Sequence, residues 1–275
     1  MKVKIVFLCL FITVAFANSA HSDSYIVGTW YDANKTLSNT QDDPMCTTAA
    51  ASNVLMYTGW NAGFSNAGAI FAEFQNRWAS AGGLGVVNSW SWWLNGTYIV
   101  WTKWPTSYVE LVDVSGRGNF YPGNPFATYY HTETHQSNVL LAADNFLHAG
   151  DGVTLTIQSK TLWGAQHTVT LWGYEYDNNG NYLGLYITDS DDYTNDPNNP
   201  TPTRAYYPVT WNAATQNWWL QSYKIDNLPA WGTGFFLVGV QALEQYPVPE
   251  PSTMLLLGSG LIALAGYKRK KFLKT

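Results

Sequence analysis

The segment "HTVTLWGYEYDNNGNYLGLYITDSDD", residues 167–192, constrains this chain more than any other. Two strand-like runs, 167–176 and 182–188, flank "DNNGN", whose Asn, Asp and Gly residues adopt the backbone angles that a hairpin needs. Centring the turn on Asn179 sets His167 opposite Asp191 and diagonal to Asp189. All three share the parity of the two-residue strand repeat, so they face the same way. An imidazole aligned with carboxylates is a general-base arrangement, in which the acid holds the ring and stabilises its protonated form.

A base needs a nucleophile, and the cysteine count narrows the choice. The chain has two cysteines, Cys9 and Cys46. Cys9 lies in "MKVKIVFLCLFITVAFANSA", where Lys2 and Lys4 precede an apolar run and small residues, the pattern of a secretory signal covering residues 1–20. Its removal leaves Cys46 alone, without an internal disulfide partner. An unpaired cysteine in an exported chain is either a thiol with a task or a small buried hydrophobe. Cys46 precedes "TTAAASNVLMY", an alanine-rich run that suits a packed helix, capped by Thr47 or Thr48 and stopped near Gly59. A thiol at a helix N-terminus is acidified by the dipole and by a nearby imidazolium.

Between the two ends, residues 21–250 carry seven Lys and Arg against all 19 Asp and Glu, a net charge of −12. Nucleic acid and anionic membrane are therefore poor partners. About 230 residues suit one large domain or two small lobes, assigned here as 21–246. With 14 Trp, 18 Tyr and 12 Phe in the chain, the composition describes a buried, strand-rich core and excludes disorder. "GAIFAEFQNRWASAGG" has a helical pattern, and "SWSWWLNGTYIVWTKW" is closer to strand. "HQSNVLLAADNFLHAG" reads as a helix ending at Gly150, and "DGVTLTIQS" alternates as a strand.

The C-terminal "VPEPSTMLLLGSGLIALAGYKRKKFLKT" joins a Pro-Glu-Pro tripeptide, an apolar run over residues 254–266 and a basic end. Thirteen apolar residues fall short of the roughly 20 that span a bilayer, which favours a transient anchor oriented by the positive-inside rule. The order of parts resembles the PEP-CTERM sorting tail of Gram-negative bacteria, assigned here to residues 247–275. That resemblance implies processing by an exosortase near the tripeptide, membrane tethering before it, and a surface or extracellular location after it.

The blocks "WYDANKT…DDPMCTTAAASNVLMY" and "HTVTLWGYEYDNNGNYLGLYITDSDD" resemble the signature blocks of the IdeS/Mac immunoglobulin-degrading cysteine peptidases, a papain-like family. The resemblance covers about fifty residues. It implies a papain-like two-lobe α+β fold, with the helix bearing the nucleophile packed against an antiparallel sheet, and an exported cysteine endopeptidase acting on a protein or peptide substrate without cofactor or metal. Cys46 would attack the scissile carbonyl and His167 would be the general base and acid. Asp189 would orient His167, Asp191 would support the site, and Lys35, matching the family's lysine in "NKT", would stabilise the oxyanion beside the Cys46 N–H. The segment from Lys35 to Cys46 is one residue longer than the family's loop, and Pro44 stiffens it.

Other readings compete at the same residues. A surface module binding glycan or matrix would keep the fold without the activity, and a transglutaminase-like acyl transferase would use the same triad. "DSDDYTNDPNNP" offers oxygen ligands, but it lacks the EF-hand glycine and the final Glu. "HTETH" at 131–135 offers two histidines without the HExxH pattern or a third ligand. The pairs Trp92–Trp93 and Trp218–Trp219 read as core or rim aromatics.

Overall fold

A computed structural model describes residues 22–35, 45–78, 85–103, 107–112, 118–162, 164–191, 204–225, 230, 232–247, 259 and 261. In chain order the elements are β1 (Ser22–Ile26), α1 (Cys46–Tyr57), α2 (Ala67–Trp78), α3 (Gly85–Asn95), β2 (Thr97–Lys103) and β3 (Ser107–Val112). There follow α4 (Phe126–Tyr129), β4 (Tyr130–Glu133), α5 (Val139–Ala149), β5 (Gly152–Ser159), β6 (Gln166–Asp177) and β7 (Tyr182–Thr188). The last three are β8 (Ala205–Asn212), β9 (Asn217–Leu220) and β10 (Phe235–Leu243). The secretory signal and nearly all of the C-terminal tail lie outside the described residues. No helix among the described residues is long and apolar enough to cross a membrane.

The strands run β6-β5-β10-β9-β8-β7, every pair antiparallel, and β7 pairs back onto β6. That last pairing closes a barrel, which leaves no open edge in the ring. The two-lobe papain-like α+β arrangement expected from the sequence is thereby overturned: the chain forms a closed antiparallel β-barrel carrying a few helices. The reason lies in β6, which is long enough to serve several partners. It pairs with β5 up to Leu171 and with β7 from Thr170, and β1 joins it from Gly173 onward, after β5 has ended. In the same way β4 takes up β10 from Val240 to Leu243, past the short contact with β9.

One buried cluster gathers alternate residues of the barrel strands, among them Leu155, Val169, Ile187, Val209, Leu220 and Leu237, together with Leu140, Ala143 and Leu147 of α5. The spacing of those three α5 residues puts them on one stripe. Gly150, at φ 88°, caps α5, and its N–H reaches back to the last turn, a left-handed geometry that glycine adopts without strain. A second cluster joins α1 to α2 and α3 through Val54, Leu55, Ile70, Phe74, Trp90 and Trp93. α1 is buried from Thr48 to Leu55, its polar Thr48, Ser52 and Asn53 included.

Two local expectations are corrected. "SWSWWLN" belongs to helix α3, where Trp90, Trp93 and Leu94 are buried at three- and four-residue spacings and Asn88, Ser91 and Asn95 are partly exposed; the strand expected of this segment begins only at Thr97, as β2. Met45 is the N-cap of α1 and no side chain caps it; the Thr48 hydroxyl donates back to the Met45 carbonyl. Trp92 and Trp93 are core, whereas Trp218 and Trp219 are partly exposed and packed against Trp211 and Phe236.

Gly173 marks the tightest approach of one strand's backbone to another's. A Cβ there would sit 2.3 Å from the Tyr25 carbonyl oxygen and 2.9 Å from the Ile26 Cα, both backbone atoms. Gly173→Ala is therefore expected to push β1 off β6 and to destabilise the protein by about 1–3 kcal/mol, measured as a lowered urea midpoint at unchanged m-value. An unchanged midpoint would mean that β1 adds nothing to the barrel.

Candidate active site

Four chain segments meet at one end of the barrel. α1 begins at Cys46, whose half-buried thiol lies at the positive end of the helix dipole. The second residue of β6 is His167, with 3% of its surface exposed. β7 ends at Thr188 and delivers Asp189 and Asp191. The stretch after β1 returns alongside, with the Lys35 N–H donating to the Ser190 carbonyl at 3.2 Å.

The geometry is that of a chain of proton-sharing groups. His167 Nε2 is 2.6 Å from Asp189 Oδ1, which leaves Nδ1 for the thiol; Nδ1 is also 3.6 Å from Asp191 Oδ2. The His167 ring hydrogen-bonds the Cys46 side chain, and the Thr168 N–H donates to the sulfur. The Asp191 N–H donates to Asp189 Oδ1 at 3.0 Å, and the Tyr223 hydroxyl donates to Asp189 Oδ2. Lys35 Nζ sits 2.6 Å from Asp191 Oδ1, both side chains being buried.

Burial and charge act in opposite directions on each group. Burial pushes the Cys46 thiol up, yet the His167 imidazolium, Lys35 and the Thr168 N–H bring it below its ordinary value. Burial pushes His167 down, but Asp189 and the Cys46 thiolate hold it well above the usual imidazole range. Burial likewise opposes Asp189, and His167 and Tyr223 outweigh it, so the carboxyl lies below its ordinary value. At Asp191 burial wins over His167 and Lys35, and the carboxyl is raised. The Tyr223 hydroxyl, buried beside Asp189, stays protonated well above its usual range. A lowered thiol facing a raised imidazole is a pair poised to transfer one proton and become thiolate and imidazolium.

All five residues singled out in the sequence, Lys35, Cys46, His167, Asp189 and Asp191, are thus brought together. Lys35 reaches the site through Asp191, a partner that the sequence did not foretell. His167, Asp189 and Asp191 each offer one ligand atom within 4.8 Å of the others, the trio a metal ion could use. Their lone pairs are already engaged by Lys35, Tyr223 and the Asp191 N–H, so an ion would have to displace the chain's own cation and donors. Of the "DSDDYTNDPNNP" segment, residues 192–200 lie outside the described residues. "HTETH" falls on β4 and the turn after it, where His135 is exposed near Glu133 and His131 pairs with Glu244 at 2.7 Å.

Two residues that the sequence did not flag hold the site in place. Asn53 is buried in the middle of α1; its Oδ1 accepts from the Ala33 N–H at 2.7 Å, and its Nδ2 donates to the Thr170 and Thr188 hydroxyls at 3.0 and 3.5 Å. One amide therefore ties the Cys46 helix to β6, to β7 and to the extended segment leading to Lys35. A polar residue inside an apolar helix was the available signal. Tyr223 had none, since nothing local marks a tyrosine as the partner of an aspartate 34 residues away.

Barrel, helix and hairpin together present a thiol, an imidazole and two carboxylates in a constellation able to support acyl transfer. Residues 135–203 match the family model described as Mac 1, a stretch that includes His167, Asp189 and Asp191. Residues 247–270 match the PEP-CTERM protein-sorting motif, a signal for sorting to the bacterial surface. A protein of Streptococcus suis (strain P1/7) described as an IgM protease is 47% identical over 51 residues, which make up 16% of this chain and 4% of that relative. These matches point to a peptidase-like segment.

Removing the two tethers has distinguishable effects. Asn53→Leu strands the Ala33 N–H and loosens α1 from β6; a loss of about 1–3 kcal/mol is expected, with slower Cys46 alkylation. Asp189 has its pKa depressed by folding, so its stabilisation is present above the unfolded value of about 3.9 and is lost as pH falls through the lower folded value. Tyr223→Phe removes one donor and raises that folded value. Acid unfolding followed by circular dichroism should then begin at a higher pH than in the parent, and identical acid limbs would show that Tyr223 does not bear on Asp189.

Proposed function

We propose that the chain is an exported cysteine endopeptidase that hydrolyses peptide bonds through an acyl-enzyme at Cys46. The observation that carries this reading is the buried His167 ring, bonded through Nε2 to Asp189 and turned through its other nitrogen toward the Cys46 thiol. The thiolate attacks the scissile carbonyl, and the developing oxyanion lies beside the Cys46 N–H at the start of α1, where the dipole and Lys35 favour negative charge. The His167 imidazolium gives its proton to the leaving amine, which departs as the new N-terminus. His167 then takes a proton from water, the hydroxide attacks the thioester, and the carboxylate product leaves with the thiol restored. Asp189 holds the ring in the productive tautomer throughout. Asp191 couples Lys35 to the ring, placing the cation without leaving it unpaired.

The substrate is a protein or peptide of unassigned sequence. Immunoglobulin is named only by a relative that this chain matches over 4% of its length, so it does not define the substrate here. Residues 21–246 form the catalytic domain in this reading, residues 1–20 direct export, and residues 247–275 present the Pro-Glu-Pro segment to an exosortase-type enzyme.

Incubation with a mixed peptide library, followed by mass spectrometry, tests the reading. Products with new amino termini are expected. Cys46→Ala and His167→Ala should lower their rate by at least about a thousandfold, Asp189→Asn by about 10²–10⁴-fold and Lys35→Met by about 10²-fold. Incorporation of a primary amine in place of water would instead define an acyl transferase. An intact library with folded protein would refute the peptidase.

A further inference from the structure

A concavity with mixed polar and apolar walls lies at the other end of α1. It has a volume of about 390 Å³ and is lined by His131, Phe146, Ala149, Asp151, Glu244 and Gln245. Its position follows from Gly152, whose Cβ would meet Val54 and Thr58 near the C-terminus of α1. Cys46 opens the same 12-residue helix, so about 16 Å of helix separates the two places.

Asp151 is the unexplained group. Only 5% of its surface is exposed, and its backbone N–H donates to the Phe146 carbonyl. Its carboxylate has no hydrogen-bond partner among the described residues and faces the concavity. The side chain is held among the walls while its carboxylate oxygens open to the concavity, where a donor on a ligand can replace water. Glu244 adds a second carboxylate, engaged on one side by His131 at 2.7 Å, and its backbone is fixed by the Tyr129 carbonyl and by the Trp60 indole N–H. α5 ends at Ala149, so its negative dipole end adds to the same field. The opposite wall is apolar and aromatic, with the His131 and Phe146 rings stacked at 5.7 Å and 17°.

We propose that this concavity is a binding site for an organic monocation on an apolar stem, an alkylammonium or guanidinium group, with Asp151 as its counter-charge. Charge excludes an anion. Among the described residues the trio whose ligand atoms converge as a metal ion needs is His167, Asp189 and Asp191; His131, Asp151 and Glu244 do not form such a group. The volume is that of a small-molecule site, and a stem along Phe146 adds apolar and cation–π contact. Two sources carry this chemistry, a free amine and a lysine or arginine side chain of a peptide. The site stands whether or not Cys46 is a nucleophile. Burial pushes the Asp151 carboxyl up to about 6, against the His131 charge and with Glu244. The cation therefore binds better as pH rises through that value; Tyr57 faces Asp151 from α1, and His131 and Glu244 face it from beside β4 and β10.

The test is titration of the intact protein, isotopically labelled at histidine, with Nα-acetyl-lysine amide, n-butylammonium, Nα-acetyl-norleucine amide and calcium chloride. The His131 ring signal is the readout. Saturable shifts with the first two and none with norleucine amide are expected. Affinity should be about tenfold weaker at about pH 5 than at about pH 7.5, and Asp151→Asn should weaken binding at the higher pH and abolish that pH dependence. Preference for the lysine derivative identifies a peptide side chain, and equal binding a free amine; both uphold the site. Equal shifts with norleucine amide, tighter saturation by calcium, no saturable shift, or an unchanged affinity in Asp151→Asn would each overturn it. Should Asp151→Asn not fold, the pH dependence and the norleucine comparison in the parent protein decide alone.

Discussion

The contact between His167 and Asp189 is the constraint on which the arrangement depends. A neutral imidazole buried to 3% exposure would lose its solvation and gain little; an imidazolium there would be untenable without a counter-charge. Asp189 supplies that charge at 2.6 Å, and Asp189 is itself tolerable only because Tyr223 and the Asp191 N–H occupy its remaining lone pairs. Each group in the series is affordable because of the next. The series ends at Lys35, whose ammonium offsets the second carboxylate, and at Cys46, the half-buried thiol at the start of α1.

The barrel explains how such a series is assembled from distant parts of the chain. His167 and the two aspartates come from a hairpin, and the hairpin is rigid because β6 is buried on both faces, by the barrel core on one and by α1 on the other. Tyr223 follows β9 and reaches Asp189 because closure through β8 and β9 brings that part of the wall beside β7. Asn53 then fixes how far along β6 the helix lies, which decides the distance from thiol to ring. Pre-organisation of this kind places the thiol on a helix and the imidazole on a strand, with the carboxylates in the first residues after β7, held by hydrogen bonds to one another, to Tyr223 and to Lys35.

What could be read from the sequence was local. The turn at "DNNGN" and the two-residue strand repeat place His167 opposite Asp191, and β6 and β7 keep that register where it matters, pairing Thr170 with Thr188 and Leu171 with Ile187. Register shifts between Leu171 and Gly173, and between Glu175 and Tyr176, lie toward the turn and leave the site end in step. Helix α5 and its Gly150 cap were equally plain, because both signals sit within one turn of chain. The architecture was not legible, since closure depends on which of several similar strands pair across long separations, and alternation says nothing about partners. α3 was hidden for a different reason: Ser89, Trp90, Ser91 and Trp92 alternate as a strand would, although Asn88, Ser91 and Asn95 lie on a partly exposed face at helical spacing. The partner of Lys35 and the role of Tyr223 are contacts between segments, and no spacing within either segment encodes them.

The most direct measurement is the ultraviolet absorbance of the Cys46 thiolate, taken as parent minus Cys46→Ser between about pH 4 and pH 9 and repeated in the His167→Gln background. A step well below the ordinary thiol value of about 8.5, moving up toward it when His167 is replaced, is the predicted result. A step at or above the ordinary value that ignores His167 would contradict the thiolate–imidazolium pair and the mechanism built on it.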